Sequence, residues 1–198
     1  MTDVIIKVDP RLSRLHEPHV APLMSLVDGM RSRGLAAPNI DPEDGGTEAL
    51  VLCLLESPGP KAVGSTFISR DNPDPSARNM ARLLDDAGIA RSETFLWNVV
   101  PWCVSTVDQN RNATVADIIA AVPDTQAFLE ILPRLRAVVF CGRRAQRATT
   151  LLRVRDGVRT FATFHPGAMA YNRASLRADM HATFQQVAYL LREQNFDG

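Results

Sequence analysis

The chain is 198 residues long, with 45% hydrophobic residues, 22% charged residues and a formal net charge of zero. These values suit one globular domain with a substantial core, and zero net charge excludes a histone-like binder that coats nucleic acid by bulk charge. No apolar run approaches the ~18 residues of a membrane span, and "MTDVIIKVDPRL" carries an acid too early and an apolar run too short for a signal peptide, so a cytoplasmic location is expected.

The elements follow in chain order. "HVAPLMSLVDGMRSRG" has apolar residues at helical spacing before a glycine stop, giving a helical N-terminal extension over residues 1–47. "PNIDPEDGG" reads as a surface loop. Leu50–Leu55 is six apolar residues in a row, the pattern of a strand covered on both faces in a parallel sheet. It runs straight into "ESPGP". In "DPSARNMARLLDDAG", Asp74 suits the N-cap, Pro75 the first helical position and Gly88 the stop. Thr94–Val100 reads as a second strand. Thr114 and Asp117 cap a helix in "TVADIIAAV", and a second helical pattern, "DTQAFLEIL", follows Pro123. Ala137–Cys141 is a third strand, followed after Gly142 by the helical "RRAQRATTLL". Val158–Phe164 is a fourth strand, and "SLRADMHATFQQVAYLLREQ" closes the chain as its longest helix.

Strands alternating with helices imply right-handed crossovers and a parallel sheet between two helix layers. Every strand then ends on the same edge, where open α/β folds build their sites. The residues brought there are Glu56–Ser57, Asn98, Gly142–Arg143 and His165.

Each of these carries possible chemistry. Ser57 is not a hydrolase nucleophile, because the residue after such a serine donates its N–H to the oxyanion and Pro58 has none. Glu56 is the better candidate, as a base or as an anion facing a developing cation. Asn98 offers an acceptor and a donor side by side, which matches the imide edge of uracil; the flipped amide matches cytosine. His165 begins "HPGAMAYNR", a rigid turn followed by Met169, Tyr171 and Arg173, and either Met169 or Tyr171 can act as a wedge in a base stack. Phe67, in the polar "STFISRDNPDP", is a ring suited to stacking on a base.

Charge is uneven. Between Arg134 and Arg177 there are ten arginines against the single acid Asp156, and arginine outnumbers lysine twenty to two overall. Arginine binds phosphate bidentately, so an anionic partner is expected. The three cysteines, Cys53, Cys103 and Cys141, are far apart; Cys53 and Cys141 sit in apolar runs as small hydrophobes. Three are too few for a four-cysteine cluster.

The order acid-x-Pro-Gly, loop phenylalanine, strand ending Asn-Val-Val and terminal His-Pro loop resembles the uracil-DNA glycosylase superfamily. Within it, Glu56-Ser57-Pro58-Gly59 and His165-Pro166-Gly167 with Asn172-Arg173 are most similar to the motifs of family 4, over about residues 48–190. The resemblance implies one domain of three layers, α/β/α, around a four-stranded parallel sheet. It implies a DNA repair glycosylase that hydrolyses the bond to a flipped-out uracil or related deaminated base, working as a monomer, without a membrane, metal or cofactor. Glu56 and His165 would be catalytic, acting on the water and on the base O2. Ser57, Phe67 and Asn98 would hold the base, and Gly59, Tyr171 and Arg173 would contact DNA. Departures are Leu55 for the family's leading glycine, Ser57 where other branches place Asp or Asn, Gly167 for serine, and the missing iron–sulfur cysteines. The alternatives are a non-catalytic nucleobase-binding member and a hydrolase of free nucleosides.

Overall fold

The computed structural model describes residues 9–59, 62, 65–105 and 111–193; Pro60, in the expected Pro-Gly-Pro turn, lies outside them. The chain forms α1 (Ala21–Ser32), β1 (Asn39–Ile40), β2 (Val51–Leu55), β3 (Phe67–Ile68), α2 (Pro75–Ala87), β4 (Thr94–Asn98), α3 (Val115–Glu130), β5 (Ala137–Cys141), α4 (Arg143–Gln146), β6 (Arg159–Thr163), α5 (Ala168–Tyr171) and α6 (Ala174–Glu193).

The main sheet has four strands in the order β4-β2-β5-β6, all parallel. Its centre follows from sequence: Val51, Leu52, Cys53 and Leu54 are fully buried, as are Ala137 to Cys141. Helix α1 packs on α3, and α2 packs on α5 and α6, giving the two layers that flank the sheet. The outer strand β6 is different, with Arg159, Thr160 and Ala162 exposed, so it is an edge and not a strand covered on both faces. Strands β1 and β3 form a separate two-stranded parallel pair that hydropathy did not signal.

Local chemistry sets the helix ends. The Asp74 side chain accepts from the Ser76 and Ala77 N–H groups at 2.9 and 3.0 Å, and Gly88 closes α2 at φ 70°. Thr114 and Asp117 form the reciprocal capping box of α3. Pro123 does not divide two helices: α3 runs through it from Val115 to Glu130. The ring removes one N–H from the helical ladder, and Ile119, whose carbonyl loses that bond, is 55% exposed, so water can take its place.

The N-terminal segment is fixed by charge. Arg11 donates to Asp41 at 2.9 Å, and Arg91 reaches both Asp41 and Asp44, at 2.9 and 3.0 Å. The Asp41 and Asp44 side chains are 0% and 1% exposed. Among the described residues no helix is long and apolar enough to cross a membrane.

Candidate active site

The carboxyl ends of β2, β4, β5 and β6 meet on one edge. Leu55 pairs with Asn98, and the ladder continues one step beyond the strands, with Val100 N–H donating to the Glu56 carbonyl at 3.0 Å. The Gly142 N–H donates to the Thr163 carbonyl at 2.8 Å, which brings the end of β5 against the segment leading to His165. Gly142 is needed there twice over: its φ is 97°, and an added Cβ would lie 2.9 Å from the His165 Cβ.

Two adjoining hollows open on this edge. The smaller, about 320 Å³, is lined by Leu55, Ser57, Ile68, Met80, Leu96, Asn98 and His165 among others. The larger is a groove of about 680 Å³ that includes Glu56, Arg111, Arg143, Arg144, Met169 and Arg173. Ser57, Pro58, Gly59 and His165 line both and so form the partition between them.

Asn98 is the last residue of β4, not a mid-strand residue, and is 4% exposed. No hydrogen bond engages its carboxamide among the described residues, so both halves are available to a molecule in the cavity. The Gly167 N–H donates to His165 Nδ1 at 3.0 Å. That bond requires Nδ1 to be unprotonated, which puts the ring hydrogen on Nε2. Burial pushes the His165 pKa down, against the opposing pull of Glu56 and Asp74, and favours the neutral ring. The loop that carries it is tied to α2, where the Asn79 side chain donates to the Pro166 carbonyl at 2.7 Å.

Glu56 faces the groove. One oxygen accepts the Ala113 N–H at 2.7 Å and the other meets Arg144 at 3.4 Å. Arg111 is held by Asp117 at 2.6 Å. Arg143 and Arg173 are exposed, and Met169, in the short helix α5, is 83% exposed at the groove wall.

A family model for the uracil DNA glycosylase superfamily matches residues 44–188. The chain belongs to that superfamily. A solution NMR structure of a candidate uracil DNA glycosylase from Methanosarcina acetivorans superposes with a TM-score of 0.54 at 17% identity, covering 76% of this chain and 96% of that one. The crystal structure of wild-type SMUG2 from Pedobacter heparinus gives 0.51 at 12% identity, covering 75% and 76%. At these identities the likeness shows the fold alone. No curated protein sequence matches the chain.

Two of the residues expected to contact the base or DNA are buried. Phe67 does not offer its ring to the cavity: it is fully buried in β3, with the Arg11 guanidinium 4.2 Å from its ring centre. Successive strand residues face opposite ways, so Ile68 lines the cavity instead. Tyr171 is 8% exposed, packed near Arg177 and His181; Met169 is the exposed one of the pair. The ten arginines do not form one face. Arg143, Arg144 and Arg173 line the groove, whereas Arg134, Arg136 and Arg155 surround a hollow at the amino ends of the strands.

The cysteines present do not fit an iron–sulfur cluster. Cys53 and Cys141 are buried within the sheet, and burial pushes the Cys53 thiol up to about 12. Sequence reasoning passed over Ser69, Asn72 and Asn79, and counted Arg144 only as one of the ten arginines. Only the polar turn "SRDN" could have drawn attention to the first two.

Proposed function

We propose that the protein is a DNA glycosylase of the base-excision type, hydrolysing the N-glycosidic bond of a uracil or related deaminated base flipped out of DNA, with family 4 as its nearest branch by motif. The observation that carries this is the pairing, in one base-sized cavity, of the unengaged Asn98 carboxamide with a neutral histidine whose free N–H is on Nε2. Asn98 meets the imide edge, accepting its N–H and donating to its carbonyl. His165 Nε2–H donates to the base O2 as the bond to C1′ breaks and the electron pair moves onto the ring. A donor waiting where negative charge grows stabilises the transition state more than the ground state.

Glu56 acts from the groove. Its carboxylate faces the positive charge that builds on the sugar and accepts a proton from the water that adds to C1′. Ser57 sits between the two hollows, beside the bond that breaks. Arg143 and Arg173 hold phosphates, and Met169 fills the stack that the base has left. The protein works on DNA as a monomer in this reading.

A second reading has its own support. Glu56 is already engaged by the Ala113 N–H and Arg144, and a carboxylate so held suits a protein that binds a base without hydrolysing it. Release of labelled uracil from single- and double-stranded oligonucleotides, with DNA affinity measured in parallel, separates the two. Loss of release by about 10²–10⁴ in Glu56→Gln with affinity retained supports the glycosylase. Undetectable release by the unaltered protein, with affinity intact, supports the binding module.

A further inference from the structure

The amino ends of the strands carry a separate hollow of about 440 Å³, walled by the turns that lead into β5 and β6. Arg134, Arg136 and Arg155 line it, with Leu135 and Val158 as apolar walls. Its volume lies in the range of small-molecule sites. Arg136 is its unusual member. The Arg136 backbone is fixed on both sides: its N–H donates to the Leu50 carbonyl at 2.8 Å, and its carbonyl accepts the Arg159 N–H at 2.9 Å. The guanidinium has no hydrogen-bond or ion-pair partner among the described residues. Nη1 is enclosed by the protein, whereas Nε and Nη2 are not. A guanidinium drawn partly out of water without an acceptor costs stability, and native proteins rarely leave one so.

Arg155 lines the same hollow and is fixed in place. Its Nη2 donates to the Pro133 and Leu135 carbonyls at 2.9 and 3.3 Å, which leaves Nε and Nη1 without partners among the described residues. Arg134 is engaged by Glu48 at 3.2 Å. The one acid in the lining, Asp156, is exposed, where water weakens its field. Two guanidiniums without an acid partner therefore outweigh one solvated carboxylate, and the hollow favours an anion.

We infer that this hollow is a phosphate site, taking inorganic phosphate or the phosphate monoester of a small molecule, with Arg136 and Arg155 as its donors. Guanidinium forks match phosphate geometry and bind it in pairs of hydrogen bonds. A monoester presents three strong acceptor oxygens, enough to serve two forks together, and a DNA phosphodiester has lost one of them to its second ester bond. Position argues the same way. The five residues of β5 put about 17 Å between this hollow and the groove at the carboxyl edge, so a duplex lying across the groove is at the opposite end of the sheet.

The test titrates the full chain with inorganic phosphate at low ionic strength, by calorimetry and by Tm. The unaltered protein should bind phosphate and gain Tm as it is added. Arg136→Met should hold or raise Tm in phosphate-free buffer, because no partner is lost, and raise the Kd for phosphate roughly 10- to 100-fold, the effect of losing one charged donor. No binding by the unaltered protein, or binding that Arg136→Met leaves intact, overturns the site. Should Arg136→Met fail to fold, Arg136→Lys decides. It keeps the charge and loses the fork, so the Kd should still rise, and an unchanged Kd overturns the site. Affinity for undamaged duplex DNA, measured on the same variant, identifies the source of the phosphate. It should equal that of the unaltered protein; a fall would assign the hollow to a second stretch of DNA backbone and overturn the small-molecule ligand.

Discussion

At the scale of single residues the site is a matter of which atoms are left unpaired. The free Nε2–H of His165 exists because the Gly167 N–H occupies Nδ1, and burial holds the ring neutral. The direction of that shift fixes a pH dependence. The folded pKa lies below the ordinary histidine value of about 6.5, so the folded protein binds fewer protons than the unfolded chain in that range. The histidine's contribution to stability is therefore present above about pH 6.5 and lost as pH falls through the lower folded value. Base release should stay level across the ordinary histidine range and decline only in more acid solution, which a kcat/KM profile will read. A decline centred at or above pH 6.5 would mean the ring titrates freely. Phe67 makes the opposite kind of prediction. With its ring buried beneath Arg11, Phe67→Leu should cost about 1 kcal/mol and lower Tm by roughly 2–4 °C, while base release stays within about twofold. A loss of release without loss of Tm would return the ring to the site.

At the scale of elements, sequence was most informative where a residue type has one cheap place to go. Asp74, Pro75 and Gly88 mark α2 because each suits its end of a helix, and the apolar runs mark β2, β4 and β5 because both faces are covered. What was hidden depends on neighbours that sequence does not name. The two-residue strands β1 and β3 are too short for a period, so nothing showed that Phe67 turns inward and Ile68 toward the cavity. Tyr171 and Met169 are equally plausible wedges until α5 and α6 decide which is covered. The continuity of α3 through Pro123 was likewise hidden, since a proline usually ends a helix. Because the ring still costs a ladder bond, Pro123→Ala should stabilise the protein by about 1 kcal/mol after allowing for the freer unfolded chain, raising Tm by roughly 2–4 °C. An unchanged or lower Tm would show that local packing has absorbed the cost.

At the scale of the whole molecule, the parallel sheet sorts charge into two ends. Arg134 and Arg136 precede β5 and Arg143 and Arg144 follow it, so a stretch that looked like one basic face is divided. Of the arginines lining the groove, Arg144 is engaged by Glu56 and Arg111 by Asp117, leaving Arg143 and Arg173 for phosphates. DNA affinity should then depend weakly on salt, with a log–log slope near about −2 and not the roughly −9 that ten phosphate contacts would give. A separate charge network pins the N-terminal segment. Arg91→Ala would leave Asp41 and Asp44 buried without that partner, at a cost of about 3 kcal/mol and a Tm lower by roughly 6–12 °C; a smaller change would make the network incidental.

The central claim is that one cavity edge both reads the base and helps it leave. Single-turnover release of uracil from a duplex oligonucleotide, by the unaltered protein beside Asn98→Ala and His165→Ala, tests it most directly. Each substitution should slow the chemical step by about 10²–10³ with DNA affinity unchanged. Release that persists at the original rate in both would mean the bond is broken somewhere else.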